Sequence, residues 1–166
     1  MRELAVRIRF QTPSLGHVKA KGGLGRFVFP RDPDGHIIFL ATWHASNMRF
    51  AAQTLMKHQA EVEQIRWDVK VDGLLRPNRW HRRYFSGDSR RYALHEAFFP
   101  GQIIGINCCV PSSISDEDIW RLMEYAGRFR GLSPWRPGEY GTYVVESLRP
   151  RKTPYQQSEV VVPSPE

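Results

Sequence analysis

SDEDIWRLMEYAGRFRGLSPWRPGEYGTYVVESL, Ser115 to Leu148, carries a helix, an elaborate bend and a strand in one uninterrupted run. Ser115 with Asp116, Glu117 and Asp118 forms a capping box, its carboxylates suited to the positive end of a helix. Ile119, Leu122, Met123 and Ala126 share one face, so the helix buries a side. It ends at Gly127 or shortly after, because the following residues are too rich in glycine, proline and arginine to continue it. Tyr140 to Leu148 then supplies a strand rich in valine and tyrosine. A short link would join that helix to that strand, and this one is long. Gly131, Gly138 and Gly141 accept positive φ or close backbone approach, Pro134 and Pro137 stiffen the path, and Arg128, Arg130 and Arg136 surround Trp135. Backbone N–H groups in such a bend can form an anion-binding concavity, with guanidinium forks for phosphate. A rigid turn with solvated arginines accounts for the same residues. Trp135 either stacks on a base or covers the core.

Upstream, Leu4, Val6, Ile8 and Phe10 alternate with Ala5, Arg7 and Arg9, the period of a strand with one buried and one basic face. Gly16 to Gly25 reads as irregular. RFVF and HIIFLA flank Asp32-Pro33-Asp34-Gly35, the pattern of a hairpin. Ser46 is placed to cap a helix carrying Met48, Ala51, Ala52 and Leu55 and ending near His58. Ile65, Trp67, Val69 and Val71 alternate with Arg66, Asp68 and Lys70, a second core strand. No period is sustained from Asp72 to Pro100, and an apolar strand follows from Gln102 to Val110. Strand, helix, strand, strand, helix, strand is the ferredoxin-like α+β plan. It is expected over residues 1–148, with an early β-hairpin insertion and a basic arm at 72–100. Residues 149–166, with Pro150, Pro154, Pro163 and Pro165, read as a poorly ordered tail.

With 166 residues the chain suits one domain, and its formal charge of +7 comes mostly from arginine, whose planar fork fits phosphate oxygens. Cys108 and Cys109 are adjacent in a strand, point to opposite faces and form no disulfide framework. Arginines interrupt the opening apolar run, which excludes a signal peptide, and no apolar stretch approaches the roughly 20 residues that span a bilayer. A soluble intracellular protein is expected, with no membrane partner.

The positive charge is clustered. From Arg76 to Arg91 within the arm, Arg76, Arg79, Arg82, Arg83, Arg90 and Arg91 stand against Asp88 alone, interleaved with Trp80, Tyr84 and Phe85. Charge with stacking surfaces is the recipe for single-strand binding. A second group, His17, Lys19 and Lys21 with Arg26 beyond, lies in the irregular run. It lacks the Gly-Lys-Ser/Thr ending of a Walker loop, so nucleotide hydrolysis is not indicated.

Gly131-Leu132-Ser133-Pro134-Trp135-Arg136, followed by Gly138, Tyr140, Gly141 and a strand, resembles the C-terminal glycine-rich loop of the RAMP superfamily, the ferredoxin-like RNA-binding subunits and crRNA-processing enzymes of CRISPR effector complexes. It is also similar to the ending of some short phage proteins. Phe10-Gln11-Thr12-Pro13 after the opening strand adds to the likeness, and Ser133 departs from it where the family often has glycine. The resemblance implies a groove for single-stranded RNA or DNA, the glycine-rich loop on backbone phosphates, and residues 72–100 as a thumb touching RNA and neighbouring subunits. It further implies a cytoplasmic setting in a bacterial cell, encoded by host or phage, with self-association or assembly in a nucleoprotein complex. The expected contacts are Arg7, Arg9, Lys19, Lys21, Arg26, Arg79, Trp80, Arg82, Arg83, Tyr84, Arg128, Arg130, Trp135 and Arg136.

A metal-independent ribonuclease of this kind would use a histidine to move the 2′-hydroxyl proton, and His17, His44 and His81 are the candidates. No second histidine stands at a diagnostic spacing from any of them, so binding without catalysis is the reading adopted. Cys108-Cys109 lacks a companion pair for zinc, Asp116-Glu117-Asp118 is explained by capping, and Asp32 and Asp34 make a turn, so neither metal nor cofactor is expected. RNA cleavage, and occlusion of a nucleic-acid complex by a phage interaction protein, are the alternatives.

Overall fold

A computed structural model describes residues 1–22, 25–73, 79–85 and 87–151. Arg76 and the tail from residue 152 onward lie outside them. Among the described residues the order is β1 (Arg2–Phe10), β2 (Ser14–Leu15), β3 (Val18–Lys19), β4 (Arg26–Val28), α1 (Ala41–Leu55), β5 (Arg66–Trp67), β6 (Trp80–Phe85), β7 (Asp88–Phe98), β8 (Ile103–Val110), α2 (Asp116–Phe129) and β9 (Tyr143–Pro150). The fold is α+β. One sheet runs β5-β8-β1-β9 with antiparallel pairings, and a second joins β2, β7, β4 and β3, with β6 on β7.

Leu4, Val6, Ile8 and Phe10 of β1 are all within 1% of full burial, and Ile104, Ile106, Cys108 and Val110 of β8 sit on the same side, under α1 and α2. Arg7 and Arg9 take the open face. Ser115 caps α2 by accepting from the Asp118 amide at 3.1 Å, and Ile119, Leu122, Met123 and Ala126 point inward. Cys108 is buried, Cys109 half-buried, and both are free thiols.

Other expectations change. α1 begins at Ala41, five residues before Ser46, with no side-chain cap, and ends at Leu55, where Met56 turns into the left-handed region at φ 53°. Its buried stripe includes His44 and Asn47, two polar residues that hide the helical period. The strand expected over Ile65–Val71 is paired with β8 at Arg66–Trp67, leaves it, and rejoins at the Asp72–Gly105 bridge. Between those points Lys70 bridges Ile38 and the Val71 amide donates to Ile37 O. RFVF and HIIFLA form no ladder with each other. Asp32–Gly35 does make the turn, closed by an Arg31–Ile37 bridge, but Phe27 and Val28 pair with β3 and Phe27 also pairs with β7. The run from Gly16 to Gly25, read as irregular, therefore contains β3. The glycine-rich bend lasts to Thr142, and β9 extends to Pro150 opposite Leu4, two residues past the expected domain end.

The largest difference is at residues 79–85 and 87–99. They form a hairpin, β6 and β7, folded back to build the second sheet against β2 and β4. Phe98 carries that sheet into the core, stacking with Phe10 (centroids 5.7 Å apart) and meeting Phe29 and Phe39.

Candidate nucleic-acid interface

Strand alternation divides the charged residues of the second sheet between two faces. On the outer face, register places Arg82 and Arg26 on either side of Leu94, Tyr84 opposite Tyr92, and Trp80 opposite Glu96. The Arg26 guanidinium lies 5.9 Å from the Trp80 ring centre, that of Arg82 lies 4.9 Å from Tyr92, and Tyr84 meets Tyr92 edge-on at 5.7 Å. Trp80, Tyr84 and Tyr92 are 37%, 44% and 41% exposed, so a base has room on each. Tyr92 escapes a reading of the sequence, although Tyr92, Leu94, Glu96 and Phe98 do alternate. The buried Ala93, His95 and Ala97 between them mask the period.

The inner face is closed by the glycine-rich bend. Trp135 stands edge-on to Phe27 and His95, at 5.7 and 5.3 Å, and the Arg83 guanidinium covers its ring at 4.1 Å. His95 Nδ1 donates to Gly16 O at 2.7 Å, so its Nε2 lone pair accepts from Arg83 Nε at 3.1 Å. Burial first, then the charges of Arg83 and His81, lower the His95 pKa to about 4, and burial together with Arg136 depresses that of Arg83. Trp135 is thus committed to packing; its buried Nε1 has no partner. The bend itself is a rigid turn. Its Gly131, Leu132, Gly138, Glu139, Tyr140 and Gly141 amides donate to backbone carbonyls and the Trp135 amide to Ser133 Oγ, so most of its N–H groups are taken up within the protein.

The remaining basic residues do not converge on one trough. Arg7 is exposed on the open face of the first sheet, where Arg9 pairs with Glu146 at 2.6 Å. Lys19 and Lys21 are exposed at the β3 edge. Arg79 lies over Phe99 at 4.8 Å, and Arg136 pairs with Glu139 at 3.2 Å. Arg128 lies over Phe129 and Arg130 over Phe50, both on the helical side. Among the described residues Arg26, Arg79, Arg82 and Arg83 meet aromatic rings and no carboxylate, whereas Arg2, Arg49 and Arg121 are ion-paired.

The three histidines are separated. His17 is half-buried against Trp43 at 4.9 Å, and His81 meets Tyr140 at 5.5 Å; burial lowers both pKa values. His44 is 3% exposed and stacks on Trp67 at 4.6 Å, which removes it as a catalyst. Its pKa is driven down to about 3 by burial. The unfolded chain protonates this residue near 6.5 and the folded chain does not, so its stabilising effect is complete above that pH and lost as pH falls towards 3. The loss is about 1.4 kcal/mol per pH unit. His58, raised chiefly by its hydrogen bond to Asp118, acts in the opposite sense. Thermal unfolding at about pH 7.5 and about pH 5 is expected to show a smaller drop for His44→Leu than for the parent chain, with His58 common to both.

Asp32, Asp34 and His36 lie close enough to share an ion, but Asp32 already accepts from the Asp34 and His36 amides at 3.0 and 2.8 Å. No described helix is long and apolar enough to cross a membrane.

With this geometry the chain has a counterpart of known structure. It matches a chain in the cryo-EM structure of the Type III-B Cmr-beta bound to cognate target RNA. The TM-score is 0.61 at 13% sequence identity, over 89% of this chain and 60% of that one. This chain therefore spans less than two thirds of its neighbour, and at such identity the likeness is one of fold. No family model matches the sequence, and no curated protein is similar to it.

Proposed function

We propose that this chain is a RAMP-type, ferredoxin-like subunit that holds single-stranded nucleic acid, RNA above all, without cleaving it and without a cofactor. The order β1, α1, β5, β8, α2, β9 with sheet order β5-β8-β1-β9 supports the ferredoxin-like plan. One observation carries the function: the Arg26 and Arg82 guanidiniums lie on the Trp80 and Tyr92 rings with no carboxylate partner among the described residues, and those two rings, with Tyr84 beside Tyr92, are exposed. Unpaired arginines repel one another unless an anion joins them, and exposed rings offer π-faces to bases of any sequence. The resemblance of the glycine-rich bend and the fold match to a chain of an RNA-bound complex supply the polymer. Its setting would be a cytoplasmic nucleoprotein assembly.

The outer face replaces the glycine-rich bend as the proposed contact surface, because most of that bend's amides are used internally. Arg26, Trp80, Arg82 and Tyr84 remain in it, Tyr92 joins, and Arg83 and Trp135 support it from behind. Fluorescence anisotropy with labelled single-stranded RNA, single-stranded DNA and duplexes tests the reading. Affinity for single strands is expected to fall linearly on a log–log plot against salt, by about 0.7 per phosphate neutralised. A preference for duplex, or an affinity indifferent to salt, overturns it.

A further inference from the structure

Read from its two ends, the outward stripe of α2 shows opposite charges at equal distances. Glu117, Arg121, Glu124 and Arg128 fall within about 60° of one another around the helix, opposite the buried Ile119, Leu122, Met123 and Ala126. Their charges alternate. The midpoint between Glu117 and Arg128 is also that between Arg121 and Glu124, and between Trp120 and Tyr125, which flank the stripe on either side.

We infer that this stripe is a two-fold contact surface for a second copy of the chain, with the two α2 helices antiparallel. A dyad perpendicular both to the helix and to the line joining the two copies, level with that midpoint, sets Glu117 level with Arg128 of the second copy and Arg121 level with Glu124, each contact made twice. Height agrees for both pairs, because each member stands as far along the helix from the midpoint as its partner, and the members lie about 20° (Glu117 and Arg128) and about 60° (Arg121 and Glu124) apart around the axis, within reach of long side chains.

Three features support this occupant. Arg128 has no carboxylate partner among the described residues; its guanidinium rests 5.3 Å from the Phe129 ring. Arg121 and Glu117 do pair within one chain, at 2.6 Å, but their side chains are 59% and 72% exposed, so the exchange to a second copy exposes no buried charge. Glu124 gives only Oε1 to the Val145 amide. On one side of the stripe lies a groove of about 510 Å³ where Leu55 and Phe129 are 37% and 46% exposed, and on the other a groove of about 360 Å³ between Trp120 and Leu148. The dyad brings the Trp120 side of one copy over the Trp120 side of the other, and the Tyr125 side over the Tyr125 side, so apolar surface covers apolar surface while the charges fix register.

The surface shares no residue with the second sheet, so its failure and that of the nucleic-acid reading are separate. Sedimentation equilibrium of the full chain tests it, with circular dichroism to verify that each variant is folded. The parent chain is expected to form a dimer of 19.3 kDa subunits. Arg128→Glu sets glutamate against Glu117 and is expected to weaken the dimer at least about 10-fold. Adding Glu117→Arg restores opposite charges and is expected to recover it. A parent chain that stays monomeric leaves the stripe to solvent or to another protein and overturns the inference. So does a dimer indifferent to Arg128→Glu, or a double variant that fails to recover.

Discussion

Gly141→Ala is expected to destabilise this chain strongly. Gly141 has φ +69°, and a Cβ there would stand 2.5 Å from Leu132 O and 2.6 Å from Leu132 C, backbone atoms with no rotamer to move. The residue is held on both sides, its amide donating to Pro13 O at 2.7 Å and its carbonyl accepting from Leu132 at 2.8 Å. Relief of the clash therefore means releasing Leu132, which is 1% exposed in the core, and with it the Asn47 Nδ2 bond to Gly131 O at 2.8 Å that ties the bend to α1. A left-handed alanine alone costs about 1–2 kcal/mol, and the lost packing raises the total to about 3–5 kcal/mol. Gly35 is the internal control: φ is +86°, yet nothing lies within 4 Å of its added Cβ, so Gly35→Ala should cost only about 1–2 kcal/mol. Thermal unfolding is expected to separate the two by roughly 5 °C or more. Equal melting points would mean that the bend is not the clasp these contacts describe.

Loss of the outer-face residues is expected to produce the second large effect, on binding. Trp80→Ala removes one stacking ring and the support beneath the Arg26 guanidinium, so affinity for single-stranded RNA should fall by about 1–3 kcal/mol, roughly 5- to 150-fold. Arg26→Ala with Arg82→Ala removes two cations and should flatten the log–log salt slope by about 1.4. Both changes fall on exposed side chains, so melting temperature should hold while affinity falls. A double variant with an unchanged slope would remove this face from the contact and leave the basic open face of the first sheet to carry it.

The two experiments touch opposite sides of one construction. Trp135 and Arg83 close the inner face of the second sheet, and the sheet in turn holds Trp80, Arg82 and Tyr84 outward. The glycine-rich bend acts on the proposed site through the sheet it braces, with Arg83 joining the Trp135 ring to His95 and His95 joining Gly16. Acid should weaken this brace. Protonating His95 removes the lone pair that accepts from Arg83 and sets two cations side by side.

The sequence alone determined β1, β8 and α2, the free state of Cys108 and Cys109, and the wealth of arginine and aromatic residues in 79–92. Each follows from interactions within a few residues: alternation along a strand, a hydroxyl three residues from an amide, a stripe repeating every 3.6 residues. It did not reveal the start of α1, because His44 and Asn47 are polar and buried through tertiary contacts, or the break in the strand at Asp68, which is stabilised by pairing with residues 37–39. Nor could it say which rings face solvent. Trp80 and Trp135 look alike in sequence, each tryptophan beside arginine, and only the pairing of β7 with β2 and β4 makes one a platform and the other a lid. That pairing joins residues 68 to 84 positions apart, and its hydrogen bonds and register exist only once the chain has closed on itself.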